Sequence, residues 1–169
     1  VGSYDPNDKV VSPADFYHIE NDSVLFYTIR FQNTGTDTAF TVVVRDTLPV
    51  DLSASSFAAG PSSHQYTYSL TGEGLLTFTF ANILLPDSNT NEPESHGFIA
   101  YKVRPKTDLA QGSTIKNTAH IYFDFNAPIT TNTVNTQVVL LSSIKQNNKN
   151  DGELKVYPNP NNGTFNLEF

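Results

Sequence analysis

Apolar and polar side chains alternate with period two along most of the chain, the pattern of strands whose two faces meet different surroundings. In Leu25-Phe-Tyr-Thr-Ile-Arg-Phe31, one face carries Leu25, Tyr27, Ile29 and Phe31, and the other carries Phe26, Thr28 and Arg30. The Asn33-Thr-Gly35 turn ends this strand. A second strand is predicted at about 39–48, with Phe40, Val42, Val44 and Leu48 in one phase, Asp46 sharing it, and Pro49 stopping it. Weaker alternation over 65–70 and 75–81, joined by Thr71-Gly-Glu-Gly74, reads as a hairpin. The stretch 83–93 has no sustained period and reads as a loop. Strands follow near 97–103 and 114–123, the latter putting Ile115, Ala119, Ile121 and Phe123 in one phase with Asn117 among them, so Asn117 is expected to face inward. A last strand lies near 133–141. About seven to nine short strands at this spacing predict an all-β, immunoglobulin-like antiparallel β-sandwich.

Length and composition bound what such a sandwich can do. A chain of 169 residues holds one well-cored domain and a short appendage. After Leu141 the chain turns polar, which divides it into a sandwich at 1–141, a linker at 142–152 and a short tail at 153–169. Cys, Met and Trp are absent, which excludes disulfides, thiolate metal sites and cysteine nucleophiles. A formal charge of −7 argues against nucleic acid as a partner. No apolar run is long enough to span a bilayer as a helix, and any signal peptide is expected upstream of Val1.

The polar residues inside apolar strand phases carry the candidate chemistry. Asp-Pro-Asn-Asp-Lys-Val-Val at 5–11, Arg-Asp-Thr-Leu-Pro at 45–49 and Lys-Asn-Thr-Ala-His-Ile at 116–121 resemble, in order and spacing, the isopeptide-forming domains of bacterial pili and surface proteins. They also resemble the Asp-Thr-Leu-Pro repeat domains of large surface proteins. The resemblance covers residues 3 to about 138 and implies that Lys9 near the first strand joins Asn117 on a late strand, assisted by Asp46 between them. Such a step needs a deprotonated amine, which is rare in water for a group whose pKa is about 10.4. Burial removes that obstacle: it depresses a lysine and raises a carboxyl, so an inward Asp46 would stay protonated, polarise the Asn117 carboxamide and shuttle protons as ammonia leaves. The competing reading has Asp46 and Asn117 satisfying neighbours in the core and Lys9 in solvent.

The tail resembles the opening of the C-terminal sorting domain of type IX secretion substrates. The match is Tyr157-Pro158-Asn159-Pro160 followed by Asn162-Gly163-Thr-Phe165. It implies handling by the type IX secretion machinery and a secreted or outer-membrane cell-surface location.

Other constellations are weaker. Asp5, Asn7 and Asp8, with Asp124 and Asn126, offer the oxygen ligands that Ca²⁺ takes, although such runs are first of all turn formers. No other cofactor is called for. The four histidines share no metal-ligand spacing, and no phosphate cradle or nucleophile elbow is present. Tyr66, Tyr68, Tyr101 and Tyr122 would supply a sugar-stacking face if exposed. The leading expectation is a non-enzymatic structural or adhesive module; the alternative is a calcium-dependent accessory module of a secreted hydrolase, binding extracellular carbohydrate or protein.

Overall fold

The computed structural model describes residues 6–72 and 74–140, and the backbone of 155–157 and 166–168. Four strands form one sheet in the order β1-β3-β8-β5: β1 (Asp8–Ser12), β3 (Leu25–Gln32), β8 (His96–Pro105) and β5 (Leu52–Ser62). Five form the facing sheet in the order β11-β10-β4-β7-β6: β11 (Ile129–Thr130), β10 (Ala119–Phe123), β4 (Ala39–Thr47), β7 (Leu75–Leu85) and β6 (Thr67–Thr71). A three-stranded sheet of β2 (Asp15–His18), β12 (Val134–Val139) and β9 (Thr114–Asn117) completes the body, with β2 parallel to β12. The molecule is an immunoglobulin-like antiparallel β-sandwich, with more strands than the sequence pattern predicts.

The core lies between the sheets and follows the alternation. Leu25, Tyr27, Ile29 and Phe31 on β3 are buried, as are Val42 and Val44 on β4, Phe78 and Phe80 on β7, and Ile121 on β10. Phe31 of the first sheet meets Phe80 and Phe123 of the second edge-on, with ring centroids 5.3 and 6.3 Å apart. Gly97 lies opposite Phe31 in the β3–β8 register, and a Cβ there would run into the Phe31 ring.

Several expectations are corrected. Phe40 is 59% exposed, because a bulge in the β4–β7 pairing between Ala39 and Thr41 shifts the phase and Ala39 is buried in its stead. The stretch 83–93 is not all loop: β7 runs on to Leu85, with Asn82 and Leu84 in left-handed backbone that interrupts the alternation. The single strand expected at 114–123 is two, β9 and β10, which part at Thr118 and join different sheets. The hairpin turn is as expected, with Gly72 and Gly74 at positive φ between β6 and β7. The linker at 142–152 lies outside the described residues. In the tail, β13 (Lys155–Tyr157) pairs antiparallel with β14 (Asn166–Glu168).

Candidate functional site

Three sheets each contribute a polar side chain to one point in the core. Lys9 comes from β1, paired opposite Ile29 of β3; Asp46 from β4, opposite Ala119 of β10; and Asn117 ends β9, opposite Val134 of β12. Their exposures are 1, 0 and 3%. Lys9 occupies an inward position of β1 while its neighbour Val10 is 41% exposed, an inversion of the usual hydrophobic pattern. The Asn132 side chain fixes that placement, accepting from the Lys9 backbone N–H at 2.8 Å and donating to its carbonyl at 2.9 Å.

Lys9 Nζ forms an ion pair with Asp46 Oδ2 and reaches the Tyr101 hydroxyl at 3.3 Å. Tyr101 donates to the same Asp46 oxygen at 2.5 Å and accepts from Asn117 Nδ2 at 3.2 Å. One hydroxyl therefore touches all three groups. Asp46 Oδ1 and Asn117 Oδ1 are buried without a hydrogen-bond partner. Aromatic rings enclose the amine: Nζ sits 4.7 Å from the Tyr27 ring centroid and 5.7 Å from that of Tyr101, and the two rings stack 5.2 Å apart.

This enclosure sets the electrostatics. Desolvation pushes the Lys9 ammonium below its ordinary value of 10.5, with the Asp46 charge and hydrogen bond opposing. Burial, then the charge of Asp46, raises the phenols of Tyr27 and Tyr101, with hydrogen bonding to Asn117 working against both rises. A buried charge of this kind stabilises poorly compared with an apolar core, so its presence calls for a use. An amine, an amide carbon and a proton carrier held in a dry pocket can undergo transamidation.

The cation candidates are committed elsewhere. Asn7 Oδ1 accepts from the Gln32 backbone N–H at 3.1 Å, and Asp8 pairs with both Nε and Nη2 of Arg30. Asp124 caps the backbone N–H groups of Phe40 and Thr41, with Oδ1 at 3.0 and 2.7 Å. Asn126 is exposed in the turn after β10, and Asp5 lies outside the described residues. No group of three or more His, Cys, Asp or Glu able to hold a metal occurs among the described residues. Of the sorting motif, Tyr157 ends β13, while Pro158, Asn159, Pro160, Asn162 and Gly163 lie outside the described residues.

The tyrosine platform is corrected. Tyr101 is 1% exposed and belongs to the buried cluster, and Tyr66 is half-buried against Phe78 and Phe80. Tyr122 lies under the Arg45 guanidinium at 5.0 Å, leaving Tyr68 as the well-exposed ring of the four. Among the described residues no helix is long and apolar enough to cross a membrane.

A family model described as "Domain of unknown function (DUF7619)" matches residues 5–137, and the chain belongs to that family. No curated protein matches it. Among solved structures it is similar to the full-length major pilin SpaD of Corynebacterium diphtheriae, at 18% identity and a TM-score of 0.56, over 78% of this chain and 35% of that one. The major pilin SpaA of the same organism, whose structure points to a modular pilus assembly stabilizing isopeptide bonds, matches at 11% identity and a TM-score of 0.53, over 79% and 38%. The Actinomyces fimbrial adhesin FimA matches at 14% and 0.50, over 77% and 56%. The chain thus spans about a third to just over half the length of these relatives. At such identities the likeness is one of fold.

Proposed function

We propose that this domain is a non-catalytic structural or adhesive module of an exported or cell-surface protein, locked by an intramolecular isopeptide bond between Lys9 Nζ and Asn117 Cγ with Asp46 as the promoting acid. The observation that carries this reading is the fully buried Lys9, whose amine shares the Tyr101 hydroxyl with the Asn117 amide. The pair of orphaned oxygens supports it further: Asp46 Oδ1 and Asn117 Oδ1 are each buried without a partner, and an Asp46 that has taken the Lys9 proton is an acid available to polarise the amide carbonyl for attack. Enclosing the partners in a fixed geometry replaces an unfavourable encounter, an effect worth up to about 7–11 kcal/mol of barrier. The adhesin and pilin neighbours support the structural role, and the sorting motif from Tyr157 to Gly163 supports export through the type IX machinery.

Intact mass of the purified, denatured chain tests the bond. A species lighter than the sequence mass by one ammonia, with the peptides of Lys9 and Asn117 joined, is expected, as is restoration of the full mass in Asp46→Ala. A wild-type chain of unmodified mass would sink the reading. Export is tested separately by fusing residues 142–169, completed by a full sorting tail, to a reporter: secretion without residues 1–141 is expected.

A further inference from the structure

The isopeptide reading leaves one step without an agent. Ammonia leaves Asn117 only if Nδ2 gains a proton, yet Asp46 makes no hydrogen bond to that nitrogen, its Oδ1 being without a partner and its Oδ2 taken by Lys9 and Tyr101. Tyr101 alone, among the hydrogen bonds of the cluster, touches the amine, the carboxylate and the departing nitrogen at once. We infer that Tyr101 is the proton relay of the cross-linking reaction, carrying a proton from Asp46 to Asn117 Nδ2 as the C–N bond breaks; this rests on the isopeptide reading above.

The proton count closes. Lys9 arrives as an ammonium bearing three protons and Asp46 as a carboxylate. One proton passes from Nζ to Asp46 Oδ2, giving the neutral amine and the acid. Nζ attacks Asn117 Cγ and the Nζ–Cγ bond forms. As the Cγ–Nδ2 bond breaks, Tyr101 gives its hydroxyl proton to Nδ2 and takes the one on Asp46, so the phenol is neutral before and after. Ammonia leaves. A second proton moves from the attacking nitrogen to Asp46, which ends as the carboxylic acid, and the third stays on the new amide. The net charge of the cluster is zero at both ends.

Position and acidity suit this task. Tyr101 lies on β8, directly paired with Tyr27 of β3, and its ring is held between Tyr27, Phe57 and Phe78 at centroid distances of 5.2, 5.8 and 5.8 Å. The ring is fixed by packing, so removing the oxygen leaves its support in place. Burial holds the hydroxyl far above its ordinary value, which keeps the phenol protonated and restricts it to concerted exchange. It relays protons and does not act as a base on its own.

The test measures the rate of ammonia loss by quenched intact mass during cell-free synthesis of the full chain, in light and heavy water, for wild type, Tyr101→Phe and a chain with 3-fluorotyrosine at 101. Tyr101→Phe is expected to fold, judged by its aromatic circular dichroism, and to cross-link about 100-fold more slowly, the scale of a lost general acid. Its solvent isotope effect should shrink, a change that a merely structural role would not produce. The fluorinated side chain keeps the hydroxyl and makes it more acidic, so it should react at the wild-type rate or faster, and this variant decides the matter if Tyr101→Phe fails to fold. Wild-type speed in Tyr101→Phe, or marked slowing in the fluorinated chain, would overturn the relay while the wild-type mass loss kept the bond. No mass loss in wild type would overturn both.

Discussion

At the residue scale, the cluster makes a pH prediction with a definite sign. In Asn117→Ala the bond cannot form, so Lys9 remains a free buried amine whose folded pKa lies below the 10.5 of the unfolded chain. Between those values the unfolded chain holds the proton and the folded one does not, and stability therefore rises with pH. The phenols of Tyr27 and Tyr101 act in the opposite sense, because they stay protonated in the fold after the unfolded chain begins to ionise near 10. The urea midpoint of Asn117→Ala is thus expected to climb with pH to a maximum near 10 and then fall. In the double variant with Lys9→Met the climb should vanish; an equal climb there would show that another group titrates. Asp46 and Asn117 were legible in the sequence because they break an apolar phase, and Lys9 only through the resemblance that its segment carries. Tyr101 was not, since a tyrosine in an apolar phase looks like core whether or not its hydroxyl is used. Asn132 was equally hidden, because an exposed asparagine between strands carries no sign that it grips the backbone of Lys9.

At the element scale, what the sequence conceals is irregularity. β3 could be read position by position because its alternation is unbroken. β5 escaped because it is rich in Ser and Ala and its pairing with β8 shifts register twice, so no face stays apolar for long. β1 escaped for the reverse reason, as its inward residue is Lys9 and an outward one is Val10. The parting of β9 from β10 at Thr118 has functional weight: it leaves Ala119 opposite Asp46 in the second sheet while Asn117 turns into the third. On the first sheet, Gly97 lets the Phe31 ring lie across β8, and Gly97→Ala would drive a methyl into that ring. An overpacked core of this kind costs about 1–3 kcal/mol. The urea midpoint should fall accordingly, with cross-linking still complete by mass, since β8 is held at Tyr101 by its pairing with Tyr27. An unchanged midpoint would mean that the Phe31 ring moves aside without loss.

At the scale of the whole molecule, the proposed bond would tie the first strand to a strand near the end of the sandwich, closing a loop on the order of 100 residues. By the chain-entropy estimate for a covalent closure of that length, it contributes about 4–5 kcal/mol. Two variants abolish it, and they are not equivalent. Asn117→Ala leaves Lys9 an unreacted amine in a buried ion pair with Asp46, so its loss of stability mixes the missing closure with the desolvation cost of that pair. Lys9→Met combined with Asp46→Leu replaces both members of the buried ion pair by apolar chains, a change that by itself is often neutral or stabilising. It is the cleaner probe, because Lys9→Met alone would leave Asp46 buried with Tyr101 as its remaining hydrogen-bond donor. The Lys9→Met, Asp46→Leu chain should therefore melt on the order of 10 °C below wild type, and unfolding by protease-coupled assays should accelerate. The control is the wild-type chain caught before it reacts: if the bond is the source of the difference, unreacted wild type and the Lys9→Met, Asp46→Leu chain melt close to one another and only the ammonia-depleted species lies above them. Equal melting of reacted and unreacted wild type would mean that the closure adds nothing to thermal stability, and would leave resistance to pulling, measured by single-molecule extension, as the property the bond has to explain.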